Sequence, residues 1–126
     1  MVAEIDVRLA PEPEVLTTAR HALDRLADLL IPEKLEDTRL VVSELVTNSI
    51  LHAGLSPNDQ ISLTVTVSAG SVRGRVCDPG SGFEVPSEPC PRSDMRGGWG
   101  LPIVETISDR WGVEQNSHAC VWFEID

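Results

Sequence analysis

Apolar and polar residues alternate along "EIDVRLA" (4–10), which places Ile5, Val7 and Leu9 on one side and predicts a short strand. Pro11 and Pro13 end it and open a helix, where Glu12 and Glu14 complement the positive end of the helix dipole. Val15, Leu16, Ala19, Ala22, Leu23, Leu26, Leu29 and Leu30 then recur at helical spacing until Pro32 interrupts. A second helix is predicted from about Glu33 to Ala53, stopped by Gly54, with Val42, Leu45, Val46, Ser49, Ile50 and Ala53 as its core stripe. Beyond a turn at "SPND", period-two patterns near 60–68 and 71–78 predict two strands joined as a hairpin through "AG" or "AGS". Residues 79–98 gather most of the remaining glycine and proline and read as a long loop. A short helix near 101–110 and two strands near 111–116 and 119–125 close the chain.

The order is therefore β-α-α-β-β-loop-α-β-β. Hairpin-joined strands make the sheet mainly antiparallel, and so few helices can cover only one face economically. The expected fold class is α/β (α+β): a two-layer sandwich whose mainly antiparallel mixed sheet carries about three helices on one face. A length of 126 residues suits one domain, 1–126, and is enough to bury a core without staples.

Composition narrows the partners. Twenty acidic against ten basic residues give a net charge of −10, which argues against direct nucleic-acid binding or an anionic membrane. There is no apolar run long enough to span a bilayer and no basic-then-apolar leader pattern, so a cytoplasmic location is expected. Cys77, Cys90 and Cys120 are odd in number, far apart and without CxxC spacing; reduced thiols are the simplest reading.

Three stretches carry candidate chemistry. In "SELVTNSILHA", Glu44, Asn48 and His52 recur every fourth residue and span about 80° of the helix circumference, bordering the core stripe. Alone, they fit a half-solvated flank as well as the wall of a cleft. In "DPGSGF" (78–83), strand parity sets Asp78 on the buried side with Val72, Gly74 and Val76. A buried carboxylate needs a hydrogen-bond donor, and a ligand N–H would serve; Asp-Pro-Gly is also a plain turn signal. Gly80 and Gly82 let the backbone approach a ligand closely. In "GGWGLPIV" (97–104), glycines lead into a helix with Pro102 in its first turn, an arrangement that suits phosphate or a simple hinge. Neither GxxxxGK[ST] nor GxGxxG occurs.

In order, these words are similar to those of the GHKL-type ATP-binding domain shared by gyrase, the Hsp90 chaperones, histidine kinases and the mismatch-repair protein MutL. Within that group the chain resembles the RsbW and SpoIIAB type of anti-sigma factor serine-protein kinase, and most of all the short actinobacterial ATP-binding proteins of that branch. The resemblance rests on "VVSELVTNSILHA", "DPGSGF", "GWGLPIV", "DRWGV" and "VWFEI", spread over residues 41–125. It implies the Bergerat ATP-binding fold, with ATP and Mg²⁺ as cofactors. It implies Glu44 as the catalytic base, Asn48 as a Mg²⁺ ligand and Asp78 as acceptor of the adenine amine. Gly80 and Gly82 would close over the base, residues 84–97 would form a lid, and Gly98, Gly100 and Leu101 would meet the phosphates. The implied partners are an anti-sigma-factor antagonist of the STAS type and a sigma factor, and relatives often form homodimers. The chain departs from the family pattern in its proline-rich lid (Pro86, Pro89, Pro91), in Trp99 and in "NSHAC" before the last strand. An ATP-binding regulatory module that acts by partner binding without phosphoryl transfer is the alternative.

Overall fold

The computed structural model describes residues 2–52, 55–79, 101–115 and 118–126. The elements are β1 (Val2–Leu9), α1 (Val15–Leu23), a 3₁₀ helix (Asp24–Leu29), α2 (Pro32–His52), β2 (Ile61–Ser68), β3 (Ser71–Asp78), α3 (Leu101–Ile107), β4 (Arg110–Gln115) and β5 (Ala119–Ile125). Their order is the one expected from the hydrophobic pattern.

The strands form one sheet in the order β1-β2-β3-β5-β4, and every neighbouring pair is antiparallel. The expected mixed character is thus not found among the described strands. The hairpin of β4 and β5 accounts for this. β5 folds back from β4 into the place beside β3, so β3 and β4, which run the same way, never touch.

One face of the sheet is apolar, and the helices cover it. Ile61, Leu63, Val65 and Val67 of β2, Val72 and Val76 of β3, and Val121, Phe123 and Ile125 of β5 are buried. They pack in one cluster with Leu23, Leu26, Val41, Val42, Leu45 and Val46 from the helical layer. The first helix departs from the expected continuous α-helical spacing: it tightens to 3₁₀ geometry after Leu23. A repeat of three residues stacks side chains at i and i+3. Leu23, Leu26 and Leu29 follow that repeat; the first two are buried and the third is half-buried.

Two positions fix the middle of the sheet. The β2–β3 hairpin turns through Ala69 (φ 52°) and Gly70 (φ 80°), positive at both central residues as this tight turn requires. Lys34 Nζ at the start of α2 donates to the Gly70 carbonyl at 2.7 Å, tying the helix to that end of β3. Gly74 lies opposite Phe123, and a Cβ there would stand 2.3 Å from the ring. We therefore expect Gly74→Ala to destabilise the fold by about 1–3 kcal/mol through overpacking. Thermal unfolding checks this: a midpoint lowered by several degrees supports the packing, and an unchanged one contradicts it.

The other face is polar and open. Glu124 on β5 sits between Arg73 of β3 (2.7 Å) and Arg110 of β4 (2.6 Å). Hydrogen bonding from Arg110 holds the Glu124 carboxyl below its ordinary range. The cysteines correct the expectation of reduced thiols. Cys77 and Cys120 are 43 residues apart, yet the β3–β5 register sets them opposite each other, with Cα atoms 4.1 Å apart, and they form a disulfide. Sequence separation hid the pair because only the crossover register brings these strands together.

Candidate functional site

The site begins with the path of α2. Lys34 anchors its start beside the hairpin that opens β3, and α2 packs along β3. From Lys34 to Asn48 the helix rises about 21 Å. From Gly70 to Asp78 the strand covers about 26 Å. A helix that starts beside Gly70 and packs on β3 is therefore long enough to reach toward the Asp78 end of the strand. α3 packs on α2 as well.

Asn48 lies deeper than a flanking position. It is 1% exposed, among core residues such as Leu45, which is 2% exposed. Neither its Oδ1 nor its Nδ2 has a hydrogen-bond partner among the described residues. An unsatisfied buried polar group costs about 1–3 kcal/mol. A core position filled only for packing would hold an apolar side chain, so this carboxamide is suited to a bound group that meets it. Glu44 stands one turn earlier on the same edge of the helix and is half-buried, which leaves its carboxylate within reach of solvent. Beside it, Ser43 is buried and accepts a 3.4 Å hydrogen bond from Arg20 Nε of α1, which helps hold this stretch of α2 in rotation.

Asp78 ends β3, pairs with Ala119 of β5 and is 2% exposed, on the helix-covered side as parity predicts. A buried carboxylate at a strand end, facing the layer that carries Asn48, is an acceptor set where the chain leaves the sheet. Leu101 opens α3, and His52 is the last residue of α2. Gly80, Gly82, Gly98 and Gly100, and the expected lid at 84–97, lie outside the described residues.

The donor set fits Mg²⁺ with a nucleotide. No group of three His, Cys, Asp or Glu side chains gathers among the described residues. Mg²⁺ takes hard oxygen ligands and is held by few protein groups where phosphates supply the others. The unsatisfied Asn48 carboxamide oxygen is a hard donor of that kind. A concavity of about 610 Å³ between α1 and α2 is a different place: Arg39 there pairs with Asp24 and Glu36.

Glu44 and Asn48 stand one turn apart on α2, and Asp78 ends the strand β3 on which α2 packs. Sequence reasoning missed the disulfide whose two half-cystines adjoin Asp78 and Ala119. The available signal was Cys77 preceding Asp78, but its partner required the β3–β5 register.

Comparison with known proteins shows the family of the domain and the likeness of its fold. The sequence profile of the histidine kinase-like ATPase domain matches residues 9–125. Among curated relatives, the serine-protein kinase RsbW of Bacillus velezensis is 30% identical over 133 residues, covering 93% of this chain and 81% of that protein. RsbW of Listeria monocytogenes is 29% identical over 119 residues, covering 84% and 76%. Among solved structures, the RsbU and RsbW domains of a Mycobacterium tuberculosis protein superpose with a TM-score of 0.69 at 18% identity, over 98% of this chain and 31% of that one. The histidine kinase domain of a blue-light activated kinase from Erythrobacter litoralis gives a TM-score of 0.53 at 20% identity, over 88% and 58%. At these identities the structural likeness concerns the fold.

Proposed function

The chain belongs to the histidine kinase-like ATPase domain family, and on that premise we propose that it is an ATP-dependent serine-protein kinase that also acts as an anti-sigma factor. Its substrate is a serine of a STAS-type anti-sigma-factor antagonist, and its regulated partner is a sigma factor. The observation that carries this reading is the buried, unsatisfied Asn48 one turn from Glu44, on the helix that packs against β3. The RsbW relatives, named as serine-protein kinases, support the substrate class.

The chemistry needs few groups. Asp78 accepts the adenine amine and so fixes one end of the nucleotide. Asn48 would hold Mg²⁺ through its side-chain oxygen, and the metal, when bound, neutralises charge on the phosphate oxygens. The serine Oγ attacks the γ-phosphorus, the bond to the ADP oxygen breaks, and Glu44 accepts the serine proton. Phosphoryl transfer is mainly positioning and charge stabilisation, so a base and a metal ligand on one rigid helix are enough. Gly80, Gly82, Gly98, Gly100 and Leu101 complete the nucleotide contacts by resemblance to the family.

A cytoplasmic location accords with this reading; no helix of the described residues is long and apolar enough to cross a membrane. "NSHAC", which departs from the family pattern before the last strand, favours the second reading, a module that binds ATP and partner without transfer. Incubation with γ-labelled ATP, Mg²⁺ and a STAS-type antagonist separates the two. Label on an antagonist serine supports the kinase. ATP binding without label on any antagonist that the protein binds rejects it in favour of the module.

A further inference from the structure

We propose that Cys77–Cys120 is a thiol–disulfide exchange site whose state sets the nucleotide affinity of the site on the opposite face of the sheet. This rests on the reading that Asp78 receives the adenine. The bond joins β3 to β5 on the open, polar face. Cys77 is half-buried and Cys120 is buried. Both residues line a shallow depression of about 360 Å³ together with Arg8, Arg75, His118 and Glu114. A small thiol can therefore reach the bond from solvent without displacing any helix.

The neighbours favour one direction of attack. Arg75 Nη2 lies 3.7 Å from Cys120 Sγ and 3.5 Å from Glu114. A thiolate of a small dithiol attacks the more exposed Cys77 Sγ. The Cys77–Cys120 bond breaks, and Cys120 leaves as a thiolate beside the Arg75 guanidinium, which stabilises the departing charge. The second thiolate of the reagent then resolves the mixed disulfide and frees Cys77. Two electrons pass to the protein, and the reagent leaves as its own disulfide, so the exchange balances.

The link to the site is through the backbone. Cys77 precedes Asp78, Cys120 follows Ala119, and Asp78 and Ala119 are themselves register partners. Asp78 is also the last residue of β3. The cross-link thus clamps the next-to-last rung of the ladder, adjoining the final rung of Asp78 and Ala119. With the bond intact, the Asp78 carboxylate is held in one place. Without it, the rung of Asp78 loses its covalent restraint, and strand ends open most readily. Preorganisation of an acceptor strengthens binding, so we expect the reduced protein to bind ATP about three- to tenfold more weakly.

The test uses the full chain in a Cys90→Ser background, so that only this pair reports. Native protein is alkylated before and after treatment with dithiothreitol, and ATP affinity is measured in both states and after reoxidation. Blocked thiols before treatment, both thiols labelled after it, and a reversible loss of ATP affinity support the proposal. The Cys77→Ser/Cys120→Ser double variant should match the reduced state, with an unfolding midpoint still above the assay temperature. Arg75→Gln should slow reduction several-fold at unchanged ATP affinity, and an unchanged rate overturns the role given to that guanidinium. Free thiols in untreated protein, or equal ATP affinity in both states, overturn the proposal and leave the nucleotide reading intact. If exchange proceeds but neither state binds ATP, the nucleotide reading fails and the coupling fails with it.

Discussion

Glu44→Ala should leave ATP affinity within about twofold of the parent while lowering phosphoryl transfer to the antagonist about 10²–10⁴-fold, the usual contribution of a positioned general base. Glu44 is half-buried on the edge of α2, whereas Asn48 one turn on is buried and unsatisfied. The first can meet a hydroxyl arriving from solvent; the second faces the interior. On the proposed assignment, removing Glu44 would take away the proton acceptor but not the groups that hold the nucleotide. The effect should therefore fall on the chemical step and not on binding. Glu44→Gln, which keeps the shape and loses the basicity, should be nearly as slow as Glu44→Ala. Transfer at the parent rate in both variants would show that the base lies elsewhere.

Asp78→Asn should act on the other term, weakening ATP and ADP alike by about 10–100-fold, since a hydrogen bond to a charged acceptor contributes about 1.5–3 kcal/mol. The adenine is common to both nucleotides, so an equal loss identifies the base subsite. A loss confined to ATP would instead point to the phosphates. The substitution is nearly isosteric at the end of a strand, so the unliganded unfolding midpoint should move little compared with the change in ligand response. Isothermal titration measures both affinities directly, and unchanged affinities would remove Asp78 from the nucleotide site.

Much of this was legible in residue order. Periodicity gave the order of the elements, because strands with one buried face alternate strictly and α2 repeats at helical spacing. Parity along β3 alone places Asp78 on the covered side, where it is buried. Other features depend on tertiary contacts that periodicity does not encode. The depth of Asn48 follows from how α2 rotates against β3 and α3, and helix spacing alone left it at the margin of the core stripe. The 3₁₀ tightening from Asp24 to Leu29 follows from three leucines packing at a repeat of three, which α-helical spacing approximates too closely to distinguish. The insertion of β5 between β3 and β4 hid both the fully antiparallel sheet and the pairing of Cys77 with Cys120.

We propose a nucleotide site that uses Mg²⁺ at the end of α2 and the end of β3. It is tested most directly by the unfolding midpoint of the unaltered protein titrated with ATP, with and without Mg²⁺. A ligand that binds only the folded state stabilises it by about 2.7 kcal/mol at one hundred times its dissociation constant. The proposed site requires a midpoint that climbs with ATP concentration, climbs further with Mg²⁺ and loses the Mg²⁺ increment in Asn48→Ala. A midpoint that stays flat up to millimolar ATP in the presence of Mg²⁺ would contradict it.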